Sequence, residues 1–166
     1  MCGIVGYVGK REATPLLMEG LRRLEYRGYD SAGVCILADG KLHVRKQVGR
    51  VEGLAQSLKA MPVRGTLGIS HNRWATHGLP SDINSHPHLD ESGKMAMVHN
   101  GIIENYASLR HRLQRHGHHF ARRPRDRRGL DQGLRACTES EGWTVFDRPS
   151  GVKWRACALL LSILPT

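Results

Sequence analysis

Apolar positions along the first 120 residues fall into two rhythms, a period of two and a period near 3.6, and the changes between them divide the chain into elements. Residues 2–8 mix β-branched side chains with glycine, the texture of a buried strand with close backbone neighbours. Thr14 followed by Pro15 suits an N-cap and first helical position, and Leu17, Leu21 and Leu24 then recur at i, i+4 and i+7 until Arg27-Gly28 ends the pattern. Residues 31–37 and 41–48 read as strands joined through Ala38-Asp39-Gly40, where Asp-Gly is a hairpin signal. A short helix over 51–60, a strand over 66–74 and another over 94–99 follow, with the polar, proline-containing stretch 78–93 as a long loop between the last two. Asn105 can cap a helix in which Leu109 and Leu113 share a face and which ends near Gly117. Hairpin-linked strands interleaved with a few amphipathic helices predict an α+β fold of sheet layers covered by helices, not a series of βαβ units.

Beyond Phe120 the pattern stops. Residues 121–129 are arginine-rich with no apolar period, and 139–149 show none either, so no packed element is predicted there. Charge divides at the same place. Residues 1–109 carry 13 Lys and Arg against 10 Asp and Glu, whereas residues 110–166 carry 12 against 5, so most of the +10 net charge sits in the last third. A basic stretch can bind phosphates by counterion release, which raises nucleic-acid binding, but this one lacks interleaved aromatics and any recognisable binding motif. The apolar run 156–164 is far shorter than the roughly 20 residues a bilayer span needs, so no membrane segment is expected. The four cysteines, Cys2, Cys35, Cys137 and Cys157, show no metal-ligand spacing, and no signal-peptide core opens the chain, so free thiols in a cytoplasmic setting are expected.

The candidate chemistry begins at the second residue. If Met1 is removed, Cys2 carries a thiol and a free α-amino group on one residue; such an amine titrates near pH 8, about 2 units below a lysine, and can take the proton of its own thiol. The plainer alternative is a small apolar residue opening a strand. Three other segments bear on the choice: residues 24–33, His71-Asn72-Arg73-Trp74-Ala75-Thr76-His77-Gly78, and His99-Asn100-Gly101. The first also reads as a helix end and turn, the second as a surface strand end, the third as a simple turn. In the second, a guanidinium, a hydroxyl and an imidazole could converge on a carboxylate under an indole. In the third, the Asn100 amide and the Gly101 backbone N–H form a pair of donors for an oxyanion. Nucleophile, base, oxyanion hole and carboxylate clamp together are what an amide-cleaving enzyme requires.

Met1-Cys2-Gly3-Ile4, the string from Tyr26 through Arg27 to Gly33, Arg73-Trp74-Ala75-Thr76-His77-Gly78, His86-Pro87-His88 and His99-Asn100-Gly101 jointly resemble the glutaminase domain of the glutamine:fructose-6-phosphate aminotransferases, within the class II glutamine amidotransferases. The resemblance implies an N-terminal-nucleophile fold, a four-layer αββα sandwich incomplete at its C-terminal side, over residues 1–120. It implies Cys2, Asn100 and Gly101 as catalytic residues and Arg73, Trp74, Thr76 and His77 as substrate-binding ones. Arg73 would take the α-carboxylate, Trp74 would belong to a loop closing over the site, and Arg27 and His86 would support it. L-glutamine is the implied substrate, with fructose 6-phosphate handled by a separate sugar-isomerase part; no cofactor, metal, membrane or nucleic acid is implied.

The resemblance ends after His118-His119-Phe120. Where the family continues with an acidic Ser-Asp/Glu-Thr-Asp-Thr-Glu run, one acid of which holds the substrate's α-amino group, this chain reads Ala121-Arg122-Arg123-Pro124-Arg125. Residues 121–166 are therefore expected to be a divergent basic tail, and a shifted reading frame near Ala121 would explain them. The expected activity is at most glutamine hydrolysis, weak or absent. The alternatives are another class II amidotransferase and a basic nucleic-acid-binding fragment.

Overall fold

The computed structural model describes residues 2–27, 30–74, 80–82, 84–90, 92–100, 105–116 and 157–162. Strand β1 (Gly3–Val8) leads into helix α1 (Ala13–Leu24) and a 3-10 turn (Glu25–Arg27), followed by the hairpin β2 (Ser31–Ala38) and β3 (Lys41–Val48), and helix α2 (Val51–Ala60). Then come β4 (Leu67–Arg73), the two-residue β5 (His88–Leu89), β6 (Met95–Asn100), helix α3 (Tyr106–Arg115) and β7 (Cys157–Ser162). The strands form two antiparallel sheets, one in the order β1-β4-β2-β3 and one in the order β5-β6-β7.

Alternation along β2 explains how the layers stack. Ala32, Val34 and Ile36 pack against Leu17, Met18 and Leu21 of α1 and Val51, Leu54 and Leu58 of α2. Their neighbour Cys35 points the other way, into a second core with Ile69 of β4, Ala96 and Val98 of β6, and the partly buried Ile4, Leu37 and Leu67. A helix layer, a sheet and a second sheet therefore stack in that order, with β2 buried on both faces, as period-two patterning of a central strand requires. Leu109 and Leu113, the predicted shared face of α3, are both buried.

The turn chemistry follows the sequence closely. Asp39 and Gly40 take φ of 50° and 69°, the left-handed pair that a two-residue hairpin needs to match strand twist. The start of α1 departs from expectation. The helix begins at Ala13 with Glu12 before it and no side-chain cap, and Thr14, within the first turn, donates its hydroxyl to the Val63 carbonyl at 2.6 Å. That bond and Ala13 N–H to the Gly65 carbonyl at 2.7 Å tie the helix to the chain entering β4. Asn105 does precede α3 as expected but makes no side-chain cap bond.

Two strands lie where none was predicted: β5 within the long loop, and β7, which pairs antiparallel with β6 from Met95↔Ser162 to Asn100↔Cys157. Among the described residues no helix is long and apolar enough to cross a membrane.

Candidate active site

The inter-sheet core changes character toward one end, and it does so on three strands at once. On β1 the inward series runs from Ile4 back to Cys2; on β4 it runs Ile69, His71, Arg73; on β6 it runs Ala96, Val98, Asn100. Strict period two makes each polar residue the continuation of an apolar row. The pairing Gly3↔Asn72, continued by one residue, sets Cys2 beside Arg73. The reactive groups thus occupy the rim of a packed core, held by strands on both sides.

Cys2 is half-buried and its thiol is free. Its Sγ is clasped by the backbone of Trp74: the Trp74 N–H donates to Sγ at 3.3 Å, and Sγ lies 3.6 Å from the Trp74 carbonyl. An N–H aimed at sulfur solvates negative charge there, as a nucleophilic thiolate needs. Cys35, also a free thiol, lies in the inter-sheet core, where burial pushes its pKa up to about 12 and leaves it inert.

Across the site, Asn100 Nδ2 donates to the Cys2 carbonyl at 3.1 Å, and Asn100 Oδ1 lies 2.7 Å from His71 Nε2. An amide nitrogen carries two hydrogens, so one remains for a substrate oxygen next to the nucleophile. His71 is fully buried, and the desolvation of its ring lowers its pKa to about 4, with the Asn100 bond opposing and the nearby cationic forms of His88, Arg73 and His99 reinforcing the shift. His86, its ring tilted 39° against that of His71 at 4.4 Å between centroids and edge-on to His88 at 4.3 Å, is likewise held neutral by burial.

Arg73 closes β4, and its carbonyl accepts the Asp30 N–H at 2.8 Å, while the Asp30 carbonyl accepts the Gly49 N–H at 2.8 Å. Asp30 thereby ties the ends of three strands of the first sheet around Arg73. Gly33 has a different task. A Cβ there would lie 2.1 Å from the His86 carbonyl oxygen, so only glycine lets the His86 backbone lie against β2.

Of the sequence-derived site residues, the fold brings Cys2, Trp74 and Asn100 together and seats Arg73 alongside. The Trp74 side chain is half-exposed at 49%. His86 lies behind the site in the histidine cluster. Thr76, His77 and Gly101 lie outside the described residues, as does the Arg27 side chain. His71 was missed as a site residue, although a histidine falling on the inward parity of a buried strand was itself a signal.

No protein-family model matches the chain. It is 62% identical over 117 residues to the glutamine–fructose-6-phosphate aminotransferase [isomerizing] of Symbiobacterium thermophilum, covering 70% of this chain and 19% of that protein. The homologous enzyme of Clostridium perfringens is 58% identical over 120 residues, covering 72% of this chain and 20% of that one. The matched part is the N-terminal region of these proteins. Over that stretch, the chain belongs to the glutamine–fructose-6-phosphate aminotransferase family. It spans about a fifth of the length of these relatives.

Solved structures agree on the architecture. The glutamine phosphoribosylpyrophosphate amidotransferase of B. subtilis, complexed with ADP and GMP, superposes with a TM-score of 0.76 at 25% identity, over 98% of this chain and 35% of that one. A structure of the allosteric regulatory enzyme of purine biosynthesis gives 0.71 at 25% identity, with the same coverage. The fold is thus the N-terminal-nucleophile α+β sandwich of the class II glutamine amidotransferases.

Proposed function

We propose that the chemistry of this chain is at most a weak hydrolysis of the side-chain amide of L-glutamine to glutamate and ammonia. In the family this is the first half of a reaction that converts D-fructose 6-phosphate and L-glutamine to D-glucosamine 6-phosphate and L-glutamate. The observation that carries the reading is that Cys2, at the rim of the inter-sheet core, has its thiol on the Trp74 N–H and its carbonyl on the Asn100 amide.

The chemistry follows from those groups. With Met1 removed, the Cys2 α-amine accepts the thiol proton, and the sulfur attacks the carboxamide carbon while the Trp74 N–H steadies its charge. Negative charge moves to the amide oxygen, where Asn100 Nδ2 receives it, with the Gly101 N–H as the second donor that the family resemblance implies; one such donor is worth about 2.7–4 kcal/mol of barrier. The carboxamide nitrogen takes the proton held by the α-amine and leaves as ammonia, and water then cleaves the thioester to release glutamate. Arg73, with Thr76 and His77, would hold the substrate α-carboxylate, and Trp74 would cover it. No cofactor enters this sequence. Fructose 6-phosphate would be bound by the part of the relatives that this chain does not match. A cytoplasmic site of action fits a nucleophile that must remain a free thiol.

Glutamate release by the purified chain, compared with Cys2→Ala, tests the proposal. Release abolished by the substitution is expected; release unchanged by it would remove the enzymatic reading.

For the tail, we infer a boundary near residue 120. Sequence relatives match 117 to 121 residues, the length of the segment that carries the motifs, and the charge shifts beyond it. A shifted frame from Ala121 onward accounts for that break. Sequencing the encoding DNA across codons 118–125 checks this, and an alternative frame that encodes no acid-Thr-Asp-Thr-Glu run rules it out.

A further inference from the structure

The amide that faces the nucleophile has two orientations of almost identical shape, and the surrounding bonds permit one. The Cys2 carbonyl oxygen can only accept, so the Asn100 nitrogen must face it at 3.1 Å. That turns Oδ1 toward His71 Nε2 at 2.7 Å, and an oxygen there requires the ring nitrogen to carry the hydrogen. The neutral Nε2–H tautomer satisfies this without a charge. In the reverse orientation Oδ1 would point at the Cys2 carbonyl and at any developing oxyanion, acceptor against acceptor.

The ring that makes this bond is itself held from behind. His71 pairs in register with Gly33, and the His86 backbone lies so close over Gly33 that no side chain fits between them. The His86 ring packs on the His71 ring, and His88 on His86. A seat of backbone and two imidazoles thus fixes the direction of Nε2.

We infer that His71 is a positioning residue for the amide-cleaving step, its Nε2–H locking Asn100 in the orientation that aims the Nδ2 hydrogens at the nucleophile. The inference rests on the glutaminase reading above and assigns to that site a residue set behind the reacting atoms. His71 does not touch substrate; it acts through Asn100. Because Asn100 works on charge that develops in the transition state, loss of the lock falls on kcat and leaves KM nearly unchanged.

The test uses the full chain and five proteins: unchanged, His71→Leu, His71→Gln, Asn100→Ala, and the double variant His71→Leu with Asn100→Ala. Glutamate release should lose about tenfold in kcat with His71→Leu, the size of one lost hydrogen bond. His71→Gln, whose amide N–H reaches about as far as Nε2, should recover most of it. Asn100→Ala should lose about 100- to 1,000-fold. Adding His71→Leu to Asn100→Ala should cost nothing more, because the lock then has nothing to hold. A histidine that merely packs would impose the same loss in both backgrounds, and that result overturns the inference.

A second readout does not need turnover. Nitrogen-15 NMR of the labelled chain at neutral pH should show His71 protonated on Nε2 and bare on Nδ1. The opposite tautomer overturns the inference whatever the activity. An inactive chain that carries the expected tautomer counts against the glutaminase reading and leaves the lock standing.

Discussion

Lowering the pH from 7.5 to 5 should destabilise this fold by an amount that the buried histidines set. In the unfolded chain a histidine titrates near its ordinary value of 6.5, whereas His71 in the folded chain is held down to about 4 by burial. Between those two values the unfolded state binds more protons than the folded one, so stability rises with pH through the window. It is fully present above 6.5 and is lost progressively as the pH falls toward 4. At pH 5, 1.5 units below the ordinary value, His71 alone removes about 2 kcal/mol, taking 1.36 kcal/mol per unit. His86 and His99, also held below their ordinary values by burial, push in the same direction. Against a domain stability of about 5–15 kcal/mol, that is a large share. Urea titrations at the two pH values and matched ionic strength measure it directly, and His71→Gln should flatten the dependence by the share of one proton. A midpoint that stays level, or rises, on acidification is incompatible with neutral histidines packed in the folded state.

Gly33→Ala should lower the unfolding midpoint, because the new methyl would sit 2.1 Å from the His86 carbonyl oxygen and 3.1 Å from that of Arg45, and backbone must move to admit it; a cost of about 1–3 kcal/mol or more is expected, and stability equal to that of the unchanged chain argues against the close approach. Arg73→Ala should raise KM for glutamine much more than it lowers kcat, as loss of a carboxylate clamp does, and steady-state glutamate release with KM unchanged would take Arg73 out of the binding set.

Much of this architecture was legible because its signals are local. The Asp39-Gly40 turn, the leucines of α1 and the strands around Cys2, His71 and His99 are written as periods and turn pairs within a few residues of one another. What escaped was long-range. Two residues, His88 and Leu89, are too short to show a period, and β7 becomes a strand through pairing with β6, about sixty positions earlier in the chain. Thr14 carries cap chemistry, yet its hydroxyl serves a tertiary contact to Val63, which no neighbouring residue announces. At the site, motif strings gave Cys2, Arg73, Trp74 and Asn100, while His71 stood in one of those strings with no role. The role proposed for it depends on which way an amide across the sheet interface points, and that is decided by a carbonyl 98 positions away from Asn100.

The central proposal is that the fold makes Cys2 the nucleophile for a side-chain amide. Incubating the purified chain with a glutamine-mimicking electrophile and locating the adduct by mass spectrometry tests it most directly. One adduct on a Met1-free Cys2 is predicted, with Cys35 untouched in the folded chain because its thiol is buried and protonated. Unmodified protein, or label on Cys35 as well as on Cys2, would contradict it.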